Sequence, residues 1–185
     1  MQPVPGTTYV ALVRGINVGR NKRVSMAHLR DLLAGLGYTD IRTHLQSGNA
    51  VFTSRHSDPG QVENEIEKGF KDTLRLTVRC LVRTGADLKA VIGGYPFQTV
   101  ATDGSRMLAL FLSQAPDPAL LAAFDPRALG PDQIKLGERV LYQWCPDGIL
   151  AAPNVGAFVE KHLKVAVTNR NWNTVTRLGA MLDEG

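Results

Sequence analysis

Apolar positions recur along this chain at spacings of two and of about four, and the alternation predicts a repeated β-α-β-β-α-β order. Tyr9 to Val13 is an apolar run of strand length. Ser25 is a good helix N-cap, and Met26, Leu29, Leu32/Leu33 and Leu36 follow at helical spacing until Gly35 and Gly37 mark the end. Ile41 to Leu45 reads as a second strand. Ala50 to Thr53 reads as a third, its hairpin partner across a Ser47-Gly48-Asn49 turn. Asp58-Pro59 starts a second helix, with a one-face stripe of Val62, Ile66, Phe70 and Leu74. Glu63, Glu65 and Glu67 early and Lys68, Lys71 and Arg75 late suit the helix dipole. Leu76 to Val82 then alternates like a half-buried strand. Residues 8–83 thus carry the ferredoxin-like order, two helices on one face of a four-stranded antiparallel sheet.

The second half repeats the order from Met107. Before it, Ala86 to Ile92 is a short helix closed by Gly93-Gly94 and Pro96. Met107 to Leu112 is a strand, and Asp117-Pro118 starts a helix reaching Phe124. Asp132 to Leu136 and Arg139 to Trp144 are strands joined at Gly137-Glu138. Gly156 to Leu163 is a helix and Val165 to Thr168 a strand. An extra helix runs from about Trp172 to Leu182, with Val175, Leu178 and Leu182 on one face. The expected organisation is α+β: a ferredoxin-like unit over 1–83, a link with a short helix over 84–105, and a second such unit plus the last helix over 106–185.

Composition narrows the class. The 185 residues are 44% hydrophobic and 21% charged, with only 6% aromatics, so the core must be mostly aliphatic. No run approaches the roughly 20 apolar residues of a membrane span, so no membrane partner is expected. Met1 to Gly6 has no basic start and no apolar core, and reads as a short loose tail. Cys80 and Cys145 each fall inside an apolar run, which suits two buried free thiols in a reducing cytoplasm. The net charge is +4, unevenly spread. Residues 1–57 hold 7 Lys/Arg against 2 Asp/Glu, and residues 161–177 hold 4 against none. Two basic segments flank a mildly acidic middle, which points to an anionic partner.

Those segments contain the polar motifs. The first loop runs Arg14-Gly15-Ile16-Asn17-Val18-Gly19-Arg20-Asn21-Lys22-Arg23, between a strand and a helix start. Glycines there let backbone N–H groups turn toward a phosphate or carboxylate. The spacing is not that of a P-loop, since no Ser or Thr directly follows Lys22. Gln46 and Asn49 bracket a turn that holds Ser47, and their amides suit a base or sugar edge. Near the C-terminus, Asn169-Arg170-Asn171-Trp172-Asn173-Thr174 stands where a strand passes into a helix. There Asn171 is the natural N-cap, Arg170 can hold an oxyanion, and Trp172 can stack or pack. His28, His44, His56 and His162 share no metal-ligand spacing with each other or with the cysteines, and no metal or cofactor is implied. No Gly-x-Ser-x-Gly elbow exists, and no carboxylate pair lies in the polar motifs. RNA-recognition-type stacking would rest on Tyr9 and Phe52, one ring per strand, a poor platform.

Three ordered motifs carry a resemblance: Tyr9 to Gly19, Gln46 to Asn49, and Arg170 to Val175. On these the chain resembles domain-of-unknown-function family 1697, cytoplasmic bacterial proteins of about this length. The resemblance implies two α/β plaits of ferredoxin type and no particular activity. Members often carry a second glycine where Arg20 stands here, and a threonine where Asn169 stands here.

The expected function is binding of a small anionic or nucleotide-like ligand. Arg14, Asn17, Lys22, Gln46, Ser47, Asn49, Arg170, Asn171, Trp172 and Asn173 are the expected contacts, sharing one site. The alternatives are an enzyme acting on a phosphorylated substrate, with its acid or base from His28, His44 or a bound metal, or a structural or nucleic-acid-binding module.

Overall fold

A computed structural model describes residues 5–185; residues 1–4 of the expected tail lie outside the described residues. The elements are β1 (Thr7–Arg14), α1 (Met26–Gly35), β2 (Thr39–His44), β3 (Asn49–Ser54), α2 (Pro59–Leu74), β4 (Arg79–Thr84) and α3 (Gly85–Gly93). Then come β5 (Met107–Leu112), α4 (Pro118–Ala123), a 3-10 turn (Pro126–Leu129), β6 (Ile134–Gly137), β7 (Val140–Trp144), α5 (Val155–His162), β8 (Val167–Asn171) and α6 (Trp172–Leu182). The chain forms two compact units. The first comprises residues up to Lys89 together with Leu178–Gly185, and the second Ala90–Arg177. The division therefore falls inside α3 and inside α6.

In the first unit the sheet order is β2-β3-β1-β4, and in the second β6-β7-β5-β8. Every pairing is antiparallel. Both are the ferredoxin-like order, so the fold is α+β with two plaits and an additional C-terminal helix. The first core lies between the sheet and its two helices. Tyr9, Ala11, Val13, Ala50, Phe52, Cys80 and Val82 meet Leu29 and Leu33 of α1 and Val62, Ile66 and Phe70 of α2. Each fully buried aliphatic or aromatic side chain is worth roughly 1.5–3 kcal/mol, so the α2 stripe is a main support of the unit. The second core joins Leu108, Leu110, Leu112, Ile134 and Leu141 to Val155 and Val159 of α5. Cys80 and Cys145 are buried free thiols.

Helix starts follow local chemistry. The Ser25 hydroxyl accepts from the His28 N–H at 3.1 Å. The Asp58 carboxylate accepts from the Gly60 N–H at 3.0 Å, with Pro59 at the first helical position. Two boundaries differ most from the sequence expectation, the start of β4 and the end of β8. β4 begins at Arg79, and Val78 and Leu76 enter the core from the connection before it, after Arg75 turns the chain at φ 56°. β8 runs on through Asn169, Arg170 and Asn171, whose backbones pair with Leu110, Ala109 and Leu108.

The glutamates of α2 do something other than offset the dipole, and no acidic residue lies in its first turn. Strand β4 is a sheet edge, with outward backbone donors. Glu67 Oε1 accepts from the Cys80 N–H at 2.8 Å and Glu63 Oε1 from the Val82 N–H at 2.9 Å. The second unit repeats the device. Glu160 of α5 accepts from the Val167 N–H of edge strand β8 at 3.1 Å.

Candidate functional site

The first loop is closed on itself. Gly15, Asn17, Gly19 and Lys22 all adopt positive φ, at 78°, 56°, 64° and 52°. The Asn17 N–H donates to the Lys22 carbonyl at 3.0 Å. Asn17 Oδ1 accepts from the Val24 N–H at 2.8 Å, and Asn17 Nδ2 donates to the Val24 carbonyl at 2.7 Å. Ile16 and Val24 are buried in the core beneath. Arg14, Arg20, Asn21, Lys22 and Arg23 are exposed. Lys22 Nζ donates to the Thr77 carbonyl at 2.7 Å.

The same asparagine ties this loop to the β2–β3 turn, because its Nδ2 also donates to the Gln46 carbonyl at 2.6 Å. A second tie runs from the Val13 N–H to the Gly48 carbonyl at 2.9 Å. Gly48 has φ 89°, and a Cβ there would sit 2.9 Å from the side chains of Val13 and Ile16, so no larger residue fits. Asn49 is fully buried. Its Nδ2 donates to the His44 carbonyl at 2.8 Å and to Ser47 Oγ at 2.9 Å. The structure thus brings Arg14, Asn17, Lys22, Gln46, Ser47 and Asn49 together at one end of the first unit, with Gln46 and Ser47 exposed.

Arg170, Asn171, Trp172 and Asn173 belong to the second unit. No loop separates β8 from α6, so the motif is half strand and half helix. Asn171 Oδ1 accepts from the Thr174 N–H at 3.0 Å and is the helix cap. Arg170 is half-buried and its Nη1 donates to the Asn169 carbonyl at 2.9 Å. Trp172 packs: its ring stacks on Tyr95 with centroids 4.3 Å apart and lies 6.1 Å from Tyr142. Asn173 is exposed on the first turn of α6. Tyr9 and Phe52 are fully buried in the first core, which leaves neither ring exposed to stack on a base.

A family model for a protein of unknown function matches residues 7–142, which include the first loop and the turn. The chain belongs to the DUF1697 family. Among solved structures it is similar to the conserved bacterial protein SP0830 of Streptococcus pneumoniae. The two share 25% identity with a TM-score of 0.66, over 95% of this chain and 98% of that one. No curated protein matches the chain.

This DUF1697 chain also contains a cluster that the linear motifs do not reveal. The connection from β3 to α2 carries His56, and α2 carries Gln61 and Glu65. Glu65 Oε1 lies 3.3 Å from His56 Nε2, and Gln61 Nε2 lies 3.0 Å from His56 Nδ1. Gln61 Nε2 also donates to Glu65 Oε1 at 3.1 Å, and the Tyr38 hydroxyl donates to Glu65 Oε2 at 2.6 Å. Burial, and then the bond to that carboxylate, push the Tyr38 phenol far above its ordinary range, so it stays a neutral donor. A cleft of about 560 Å³ opens beside His56. The histidines singled out from the sequence lie elsewhere. His28 is exposed on α1, and His44 ends β2, where its carbonyl accepts from Asn49. Among the described residues no group of three or more His, Cys, Asp or Glu side chains could hold a metal ion, and no helix is long and apolar enough to cross a membrane.

Proposed function

We propose that this DUF1697 protein binds a small anionic or nucleotide-like ligand at the basic loop and turn of its first unit. The observation that supports this reading most strongly is the locking of the loop by Asn17, which joins Val24 and Gln46 through three hydrogen bonds. The loop backbone is ordered before a ligand arrives, so less conformational entropy is lost on binding. Arg14, Arg20, Lys22 and Arg23 project from it at exposed positions and supply the positive field. Gln46 and Ser47 supply neutral donors and acceptors for a sugar or base edge. Asn17 and Asn49 shape the surface from which these groups project. On the second unit, Arg170, Asn171, Trp172 and Asn173 form a further patch proposed on the same chemistry.

The test is a thermal-shift and calorimetric titration with AMP, ribose 5-phosphate and a short RNA. Binding of the small phosphates should raise the melting temperature. Arg14→Gln and the double variant Arg20→Gln/Arg23→Gln should each weaken it by about tenfold or more, as loss of a charge-assisted bond does. RNA binding that falls steeply with salt would favour the nucleic-acid reading instead. Parent-like affinity in both variants would remove the loop from the site.

A further inference from the structure

Beyond the loop, we propose that the cleft beside His56 is a separate binding site for a small organic oxyanion, a phosphate or a carboxylate, held by Arg55 and the hydroxyl groups of Thr39, Thr53 and Ser54. The cleft encloses about 560 Å³ and is lined within the first unit by the end of α1, the start of β2 and the end of β3. That volume falls in the range of about 300–1,000 Å³ common for small-molecule sites. Its wall chemistry is one-sided. Arg55 and His56 line it together with the hydroxyl residues Thr39, Thr53 and Ser54, and none of the described lining residues carries a carboxylate. Leu36 and Tyr38 add an apolar patch for the carbon skeleton of a ligand.

His56 is held from four directions. Its carbonyl accepts from the Tyr9 hydroxyl at 2.9 Å, and its N–H donates to Ser54 Oγ at 3.1 Å. Its ring nitrogens meet Glu65 and Gln61, and Glu65 is fixed in turn by Tyr38. A loop histidine that only faced solvent would not engage both ring nitrogens and both backbone groups at once. With both ring nitrogens engaged, His56 fixes one wall of the cleft, and the adjoining Arg55 guanidinium supplies its positive charge. The hydroxyl groups then satisfy the remaining oxygen lone pairs of the anion.

Nuclear magnetic resonance titration of the full chain separates this site from the basic loop. Methyl phosphate, ribose 5-phosphate and succinate are the probes, and the first two against the third distinguish phosphate from carboxylate. The expected result is shifts in the backbone amides of residues 37–39 and 53–56, with affinity about tenfold lower in Arg55→Gln. Arg55 is exposed, so Arg55→Gln tests the charge without disturbing the core, and its amide spectrum reports whether the fold is kept. Shifts confined to residues 14–23 and 45–49 would overturn the proposal while leaving the loop reading intact. No shifts with any probe, or parent-like affinity in Arg55→Gln, would also overturn it.

Discussion

At Asn17 the backbone sits at φ 56°, and one short amide makes three hydrogen bonds, to Val24 N–H, Val24 carbonyl and Gln46 carbonyl. Asparagine tolerates this left-handed conformation better than other residues with a side chain, apart from aspartate. Aspartate, however, has acceptors only, and would point a carboxylate at two carbonyls. Asn17→Ala should therefore cost about 2–3 kcal/mol, at roughly 1 kcal/mol for each bond lost, and Asn17→Asp should cost more than the alanine. Urea unfolding midpoints at constant slope check the order. An Asn17→Asp variant as stable as the parent would show that the loop lock is not what holds the first unit's end. Asn49 follows the same logic from inside the protein, where its amide ties the two arms of the β2–β3 turn.

The second helix of each unit treats its sheet edge alike. In α2, Glu63 and Glu67 stand four residues apart, and on β4 their targets Val82 and Cys80 stand two apart. Four helical residues rise about 6 Å and two strand residues about 6.6 Å, so the two carboxylates match alternate N–H groups along the strand. Glu67→Ala and Glu160→Ala should speed hydrogen exchange of the Cys80 and Val167 amides respectively, and leave amides of the central strands β1 and β5 slow; unchanged rates would mean that other groups cover these edges. Burial pushes the Glu63 carboxyl up, against smaller downward effects of the Val82 N–H and Arg83. A carboxyl with a raised folded pKa binds its proton more tightly when folded. Its stabilising contribution is present below the ordinary Glu value of about 4.3 and is lost as pH rises through the folded value. Glu63→Gln keeps an acceptor for Val82 and removes this titration. The variant should gain stability relative to the parent as pH rises from about 4 to 7, and a difference that stays flat over that window would contradict the assignment.

Across the whole molecule, what was legible in the sequence was local. Ser25 and Asp58-Pro59 name their helix starts through bonds to the next few residues, and the Val62, Ile66, Phe70 stripe names its own buried face. What stayed hidden depends on partners distant in the chain. Asn169 to Asn171 are strand because β5 lies beside them, although their side chains carry no strand signal. The bond from Asn17 to Gln46 spans 29 residues and that from Tyr38 to Glu65 spans 27, so neither the loop lock nor the His56 cluster has a linear motif. The last helix is the clearest case, because its apolar periodicity shows a buried face but not which unit it completes. Residues Leu178–Gly185 belong to the first unit. Arg42 Nη1 of β2 donates to the Met181 carbonyl at 2.6 Å, Lys89 Nζ donates to Asp183, and Leu178 is fully buried. Removing the chain after Arg177 should therefore destabilise β1 to β4, although all four strands remain. Leu178→Ala alone should cost about 2–5 kcal/mol by the loss of apolar burial and the cavity left behind. Arg42→Lys should cost less, because an ammonium can still reach a carbonyl but lacks the planar fork. Hydrogen exchange of the β1 and β3 amides in the truncated chain is the decisive measurement. Exchange as slow as in the parent would mean that the segment only lies on the first unit, whereas fast exchange would show that the plait needs residues supplied from the far end of the chain.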